Sequence, residues 1–359
     1  MEPSGLRNQF PVLERVAYLN AGTDGPLPAR AVDAARAELD REQADGRTMA
    51  HFERRGELTQ LLREAYARAL RCPAEDVSLT TCTTEGMGQV VMGLDLAPGD
   101  EILTSDEEHP GLLGQIAAAR DIKGATVRLV PFARIAEEVG PRTRLVACSH
   151  VSWATGAFAP AELADVEVPV LLDGAQGLGA VDVDVTKLGC DAYAGAGQKW
   201  MCGPDGSGAL WVAPELRERL AVSRRGYGNL EEANAGMDAT LQPDGRRFDA
   251  PALSAEALAC SLASAEVLEE FGWPGLWERG RTLAEQLCGL LTEVGREPVQ
   301  RGPGTLVSFP SPDPEGERAI LAERGVAIRN IPNRPWLRAS VGAWNDEGDL
   351  ERLVGSLPT

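Results

Sequence analysis

Lysine is almost missing from this chain. Of 35 basic residues, three are lysine (Lys123, Lys187 and Lys199) and the rest are arginine; there are also three histidines. Acidic residues number 54, so the formal net charge is −19. That balance argues against a nucleic-acid partner, which needs clustered cations, and no long basic run occurs. No stretch approaches the roughly 18 uninterrupted apolar residues of a membrane span. The first eight residues lack a basic-then-apolar leader pattern, so the expected compartment is the cytoplasm, with no membrane partner. Cysteine is sparse: Cys72, Cys82, Cys148, Cys190, Cys202, Cys260 and Cys288. An odd number, irregular spacing and no CxxC argue against a disulfide framework or zinc site, and no metal is expected. Most read as small buried apolar side chains. Internal repeats and low-complexity tracts are lacking too.

What remains is an ordinary globular composition, 43% hydrophobic and 25% charged over 359 residues. That length suits two structural units, or one large core with an appendage. Residues 1–20 read as an N-terminal arm. The turn-rich Tyr18-Leu-Asn-Ala-Gly-Thr-Asp-Gly-Pro-Leu-Pro28 reads either as a connector or as a substrate-side loop. Helices are expected from Pro28 to about Asp45 and over about 52–70. From Val77 short strands and helices alternate. Strands are expected near 77–81, 101–104, 125–131, 143–149, 167–173, 190–195 and 208–212. Helices are expected near 84–94, 110–120 and 214–220. This alternation predicts an open α/β sheet with helices on both faces, which binds ligands at the carboxyl ends of its strands. A polar connection follows Arg225. Two helices come next, near 253–271 and 274–295. A smaller α+β unit closes the chain: strand 305–309, helix 314–324, strands 326–330 and 336–341, helix 346–356. The expected division is an arm over 1–20, a large α/β domain over 21–245 and a small α+β domain over 246–359.

Lys199 sits in the most constrained stretch, Ala194-Gly-Ala-Gly-Gln-Lys199-Trp-Met-Cys-Gly-Pro-Asp-Gly-Ser-Gly208. Glycine allows close backbone approach and proline fixes φ. A lysine in such a turn, placed at the edge of a sheet, suits covalent chemistry on a carbonyl. Lys123 and Lys187 read as solvated loop lysines. Three other strand ends carry polar groups. Thr83 and Thr84 start a helix, either as an anion site suited to phosphate or as a plain cap. His109, before Pro110, would stack on a planar ligand or shuttle a proton, or else lie on the surface at a helix start. Asp173 ends an apolar strand, where a carboxylate needs a cation or donors, or else it caps the next turn. Gln176 is within reach of the same ligand. Phosphate site, ring stacker, acid and imine-forming lysine recur in order at strand ends, which together describe a pyridoxal phosphate site.

On these residues the chain resembles the class V, fold-type I pyridoxal-phosphate enzymes: the cysteine desulfurase, isopenicillin epimerase and kynureninase superfamily, and within it the L-cysteine/cystine C–S lyases. The similarity spans nearly the whole length. It is carried by Tyr18 to Pro28, Glu108-His-Pro-Gly111, Ser149-His-Val-Ser-Trp-Ala-Thr-Gly156, Leu172-Asp-Gly-Ala-Gln176, Gly197-Gln-Lys-Trp200, Arg246-Arg-Phe-Asp249, Ile328-Arg-Asn330 and Leu337-Arg-Ala-Ser340. It implies a large, mostly parallel seven-stranded sheet domain, a smaller C-terminal domain, and a homodimer with shared active sites. It implies that Lys199 condenses with the cofactor aldehyde and then acts as base, and that Asp173 pairs with the ring nitrogen. Gln176 would bond the ring hydroxyl, His109 stack on the ring, Thr83 and Thr84 hold the phosphate, and Trp153 touch the cofactor. Arg338 would bind the substrate α-carboxylate and Arg329 a distal carboxylate, or else Arg329 forms a surface or inter-strand ion pair. Asn20 and Ala21 fall on the substrate side.

Three departures stand out. Ala250-Pro-Ala-Leu253 lacks the threonine that relatives send to the neighbouring subunit's phosphate, with Ser254 the nearest hydroxyl. Ala154 stands in a stretch where many relatives carry an asparagine, and Gln198 replaces the usual histidine. The reaction expected is elimination from cystine, cysteine or a cysteine S-conjugate. Transamination and epimerisation remain open, as does a non-catalytic role for the fold. A desulfurase is the disfavoured alternative: the resemblance implies a sulfur-accepting cysteine on a mobile C-terminal loop, no cysteine follows Cys288, and Cys82 and Cys202, near the site in sequence, sit on tight turns of little reach.

Overall fold

The computed structural model describes residues 1–358. In chain order its helices and strands are α1 (Pro3–Arg7), β1 (Ala17–Tyr18), α2 (Ala29–Asp45), α3 (Met49–Leu70), β2 (Val77–Thr80), α4 (Thr83–Gly93), β3 (Glu101–Ser105), α5 (Pro110–Lys123), β4 (Thr126–Val130), β5 (Thr143–Ser149), β6 (Val170–Asp173), β7 (Ala192–Ala196), β8 (Gly208–Val212), α6 (Pro214–Arg217), α7 (Ala255–Phe271), α8 (Trp273–Glu293), β9 (Leu306–Pro310), α9 (Pro314–Glu323), β10 (Val326–Ala327), β11 (Arg329–Ile331), β12 (Trp336–Ser340) and α10 (Glu347–Gly355).

The seven-stranded sheet has the order β2-β8-β7-β6-β5-β3-β4. β4, β3, β5, β6 and β7 are mutually parallel, and β8 runs antiparallel to both its neighbours, β7 and β2. β2 therefore points the same way as the five. The carboxyl ends of β2, β3, β5, β6 and β7 thus share one edge of the sheet, the edge where α/β sheets take ligands. Side chains alternate across the strands and feed two cores. Leu145, Ala147, Leu171, Ala192 and Ala194 pack on one face with Met87, Val90 and Val91 of α4 and Leu112 and Ile116 of α5. Val146, Cys148, Val170, Leu172 and Tyr193 pack on the other with Leu58, Leu62 and Tyr66 of α3 and Leu258 and Leu268 of α7. This is the mixed α/β architecture expected.

A second, three-stranded sheet, β11-β12-β9, is antiparallel throughout. It shares a core with α8, in which Val307, Phe309, Leu337 and Ala339 meet Leu283, Leu287 and Leu291. The strand expected over 326–330 is two strands. β10 pairs in parallel with β1, whereas β11 turns to pair with β12. The N-terminal segment is therefore stitched to the C-terminal part, and an Asn20–Ser340 bridge extends the seam.

Three local expectations need correction. The lysine turn joins β7 to β8, both interior strands, so it projects from the end of the sheet rather than from an edge strand. Lys123 ends α5, and its ammonium donates to the Leu94 carbonyl, so it is not a free loop lysine. The helix near 214–220 stops at Arg217, because the chain turns so that the Ala221 N–H donates to the Gly93 carbonyl (2.9 Å). Lys187 is exposed as expected and pairs with Asp184 (2.6 Å). Among the described residues, no helix is long and apolar enough to cross a membrane, and no cluster of three potential metal ligands occurs.

Candidate active site

A cavity of about 200 Å³ opens at the shared carboxyl edge. Thr83, Thr84, His109, Trp153, Asp173, Gln176, Lys199, Arg329 and Arg338 all line it, so residues spread over 250 positions of sequence meet at one place. Each arrives by a simple route. Thr83 and Thr84 open α4 directly after β2, leaving the first backbone N–H groups of that helix aimed outward. His109 caps α5 after β3, with Nδ1 accepting from the Gly111 N–H (3.0 Å). Asp173 ends β6 and Lys199 follows β7.

The lysine turn is held at several points. The Gly197 N–H donates to the Ser207 carbonyl and the Gly203 N–H to the Gly197 carbonyl (both 2.9 Å). Cys202 takes the left-handed conformation at φ 54°, a strained choice for a non-glycine residue, and the Ser264 hydroxyl fastens its carbonyl (2.7 Å). From the N-terminal loop, the Gly25 N–H donates to the Gln198 carbonyl (2.7 Å). A Cβ at Gly25 would lie 1.9 Å from the Lys199 carbonyl oxygen, so that approach requires glycine.

Burial sets the electrostatics. Asp173 is 4% exposed and accepts from the Ala175 N–H (2.9 Å). Burial raises its carboxyl above the usual range, and the nearby Lys199 pulls it back. Burial lowers the Lys199 amine, which Asp173 partly restores, and Arg338 and Arg329 add repulsion. His109 is pushed down to about 4 by burial and then by Lys199, Arg329 and Arg338. It is therefore a neutral ring at neutral pH, a state that suits stacking and disfavours proton delivery. Its ring meets Trp153 edge-on, with centroids 5.2 Å apart. Gln176 is locked: its amide donates to the Gly22 carbonyl (2.7 Å) and accepts from the Trp200 indole (3.0 Å), which leaves one N–H for a ligand.

The opposite wall is cationic. Arg338 is 1% exposed, and its Nη1 donates to the Trp153 carbonyl (2.6 Å), while its Nε has no partner. Burial, then the Arg329 charge, push its guanidinium down to about 9. Arg329 lies over the Trp153 ring at 5.9 Å. The two arginines share the Thr23 hydroxyl, each donating to it at 3.5 Å. A buried cation with no carboxylate partner is costly unless an anion arrives. Among the described residues Arg329 forms no inter-strand ion pair; its cross-strand neighbour is Arg338 itself.

Asn20 and Ala21 do not line the cavity. Ala21 is fully buried in the core, and the Asn20 carboxamide oxygen accepts from the Thr23 hydroxyl (2.8 Å). Gly22 and Thr23, the next two residues, line it instead, as do Cys82, Met87, Ala175 and Gln198. Thr23 carried a signal in its place inside the turn-rich loop, whereas Met87, one helical turn past Thr83, carried none. Ser254, the hydroxyl noted in place of the missing threonine, caps α7 by accepting from the Ala257 N–H (3.4 Å).

The aminotransferase class-V family model matches residues 17–353. The probable cysteine desulfurase of Pseudomonas aeruginosa is 31% identical over 99% of this chain and 97% of its own. Isopenicillin N epimerase of Streptomyces clavuligerus is 29% identical over 95% of this chain and 94% of its own. The solved complex of the cystine C–S lyase C-DES with its reaction product cysteine persulfide superposes with a TM-score of 0.91. It is 29% identical, over 97% of this chain and 98% of that one. A C-DES mutant with glycine covalently linked to the PLP cofactor gives a TM-score of 0.90 at 28% identity, with the same coverage. The fold is thus the fold-type I arrangement, and the chain belongs to the aminotransferase class-V family.

Proposed function

We propose that this protein is a pyridoxal-phosphate-dependent C–S lyase, which releases the Cβ sulfur of cystine, cysteine or a cysteine S-conjugate by elimination. The observation that carries this reading is the pair of guanidinium groups, Arg329 and Arg338, that have no carboxylate partner among the described residues and stand on one wall of the cavity that holds Lys199. One planar fork suits an α-carboxylate. The second suits the carboxylate at the far end of a disulfide-linked amino acid. The chain also has no cysteine after Cys288, so it lacks the C-terminal loop thiol of a desulfurase; Cys82, which lines the cavity, is held in the short turn between β2 and α4.

The cavity's donor set fits pyridoxal 5′-phosphate, the cofactor of the family. Asp173, buried with one backbone donor, suits a protonated ring nitrogen. The open N-terminus of α4, with the Thr83 and Thr84 hydroxyls, suits a phosphate. His109 supplies a neutral ring face, Gln176 a spare N–H, and Trp153 a wall. When bound, the cofactor supplies an electron sink that acidifies the amino acid's Cα–H. Arg338 orients the substrate by its carboxylate. Lys199, its amine lowered by burial, takes the Cα proton, and the sulfur then leaves from Cβ with the bonding pair. Assembly as a homodimer is part of the same reading, with the partner completing the phosphate site that Ala250–Leu253 leaves without a threonine.

The test is incubation of the holoenzyme with L-cystine. Release of pyruvate and a persulfide supports elimination. Conversion of bound cofactor to its amine form marks a transaminase, D-amino-acid product an epimerase, and, with L-cysteine and an added thiol reductant, alanine with sulfide marks a desulfurase. A colourless protein that cannot be reconstituted would sink the enzyme reading altogether.

A further inference from the structure

Three consecutive acidic residues, Asp106, Glu107 and Glu108, precede His109, and each is used as an inward tie. Asp106 Oδ1 accepts from the Phe132 N–H (3.0 Å). Glu108 is buried and accepts from the Ser149 N–H (2.8 Å) and hydroxyl (2.6 Å) at the end of β5. Glu107 reaches further. One oxygen, Oε2, accepts from both the Ser152 and the Thr155 hydroxyls, the latter at 2.7 Å.

Those hydroxyls are the hinge points of the turn that carries Trp153. Ser152 Oγ also accepts from the Ala154 N–H (3.3 Å) and the Thr155 N–H (3.2 Å), and Thr155 Oγ1 accepts from the Ala157 N–H (3.2 Å). Glu107 therefore fixes which way both hydroxyls point, and through them the turn's backbone. On its other side the turn meets the three-stranded sheet: the Ser308 hydroxyl donates to the Ala154 carbonyl (2.5 Å) and Arg338 to the Trp153 carbonyl (2.6 Å). The Trp153 ring lies under Arg329. The turn is thus clamped between a carboxylate on the cofactor side and two sheet residues on the substrate side.

We propose that Glu107 is a positioning residue for the substrate-binding wall: by gripping Ser152 and Thr155 it fixes the Trp153 carbonyl and ring that aim Arg338 and Arg329. The inference rests on the reading above that these arginines take substrate carboxylate. Removing the carboxylate leaves two buried hydroxyls without an acceptor and frees the turn's outer anchor. Arg338 then loses the fixed carbonyl that orients its fork. Thr83, Thr84, Asp173 and Lys199 share no hydrogen bond with the turn, so the phosphate, ring-nitrogen and lysine anchors stay in place, and Trp153, with His109 packed on it, is the part of the cofactor's surroundings that the turn moves.

The test compares Glu107→Ala and Glu107→Gln holoenzymes in two titrations. The first adds L-alanine and follows the visible band; the second measures cofactor affinity by reconstitution. Glu107→Ala is expected to weaken L-alanine binding about tenfold while cofactor affinity, carried mainly by anchors off the turn, changes much less. Glu107→Gln, which keeps a carbonyl acceptor, is expected to restore most of it. Unchanged L-alanine affinity in Glu107→Ala overturns the proposal, as does a parallel loss of L-alanine affinity, cofactor affinity and melting temperature. If Glu107→Ala does not fold, Thr155→Val removes one of the two ties and is judged by the same two titrations. L-Alanine has no leaving group at Cβ. A wild type that binds it but leaves cystine intact therefore sinks the lyase reading and keeps this test.

Discussion

Arg329 and Arg338 face each other across the antiparallel β11–β12 pair, two like charges in register on neighbouring strands. Like charges directly opposite destabilise a sheet, so the pair is held against its own repulsion until an anion is bound. Arg338→Ala is expected to lower kcat/KM by about 10²-fold or more, with the visible band of the bound cofactor intact. Arg338→Lys is expected to recover little of this, because an ammonium cannot reproduce the fork. Arg329→Ala is expected to penalise L-cystine more than S-methylcysteine, which has no second carboxylate. Steady-state kinetics on the two substrates check this, and an equal penalty contradicts the distal role of Arg329.

The chain contains its own controls for covalent attachment. Lys123 is bonded to the Leu94 carbonyl and Lys187 to Asp184, while Lys199 lines the cavity. Borohydride reduction of the holoenzyme followed by peptide mass spectrometry is expected to place the cofactor on Lys199 alone. Lys199→Ala should lose the visible band and reduce turnover by about 10²- to 10⁴-fold.

His150 makes acid stability a measurable consequence of burial. An unfolded histidine titrates near 6.5, but burial pushes this one down to about 4, and its Nδ1 lies 3.0 Å from the Tyr193 hydroxyl. The unfolded chain therefore takes up a proton that the folded chain resists. Stability from this group is complete above about pH 6.5 and is lost as pH falls toward 4. His109 adds a second group of the same sign. Glu108, whose carboxyl burial pushes up to about 7, acts with the opposite sign over part of this window, so the expected result is a difference: the melting temperature of cofactor-free His150→Gln should fall less with pH, from about 6.5 to 4, than that of the wild type. A slope unchanged by the substitution would contradict the assignment.

The buried Arg63–Asp249 pair ties the segment after Arg246 to the sheet. Its two bonds measure 2.9 and 2.7 Å, and Asp249 also accepts from the Leu79 N–H (2.8 Å). Asp249→Asn leaves the Arg63 cation without its counter-charge and is expected to cost about 3–5 kcal/mol in urea unfolding. Arg63→Met combined with Asp249→Leu should cost less than Asp249→Asn alone.

Much of the candidate site was legible because its residues fall at strand ends, where a short buried run stops and a polar residue follows. Asp173 after Val170-Leu-Leu and the threonines after Leu79 are of this kind. Lys199 stood out through the glycines around it. Other features depend on chain reversal, which local pattern does not encode. The split of residues 326–331 between two sheets follows from where β1 and β12 lie, neither of which is near in sequence. The part played by Thr23 follows from both arginines arriving at its hydroxyl. Asn20 and Ala21 were read one step too early in the same loop, because a turn without periodicity gives no register for deciding which residues face inward.

The parallel pairing of β1 with β10 and the Asn20–Ser340 bridge also set a timetable. During synthesis the large sheet is complete once β8 emerges, and with it the helix terminus, the acid and the lysine. The loop at Gly22 and Thr23 can already meet Gln176 and Gln198, but it lacks Ser340 and both arginines until residues beyond 325 leave the ribosome. On the proposed roles, a growing chain would thus display an anchor for phosphate and an amine for an aldehyde before it owns either arginine. Capture of the cofactor can precede the ability to hold a substrate, so the half-made protein would carry its reactive group without exposing amino acids to it.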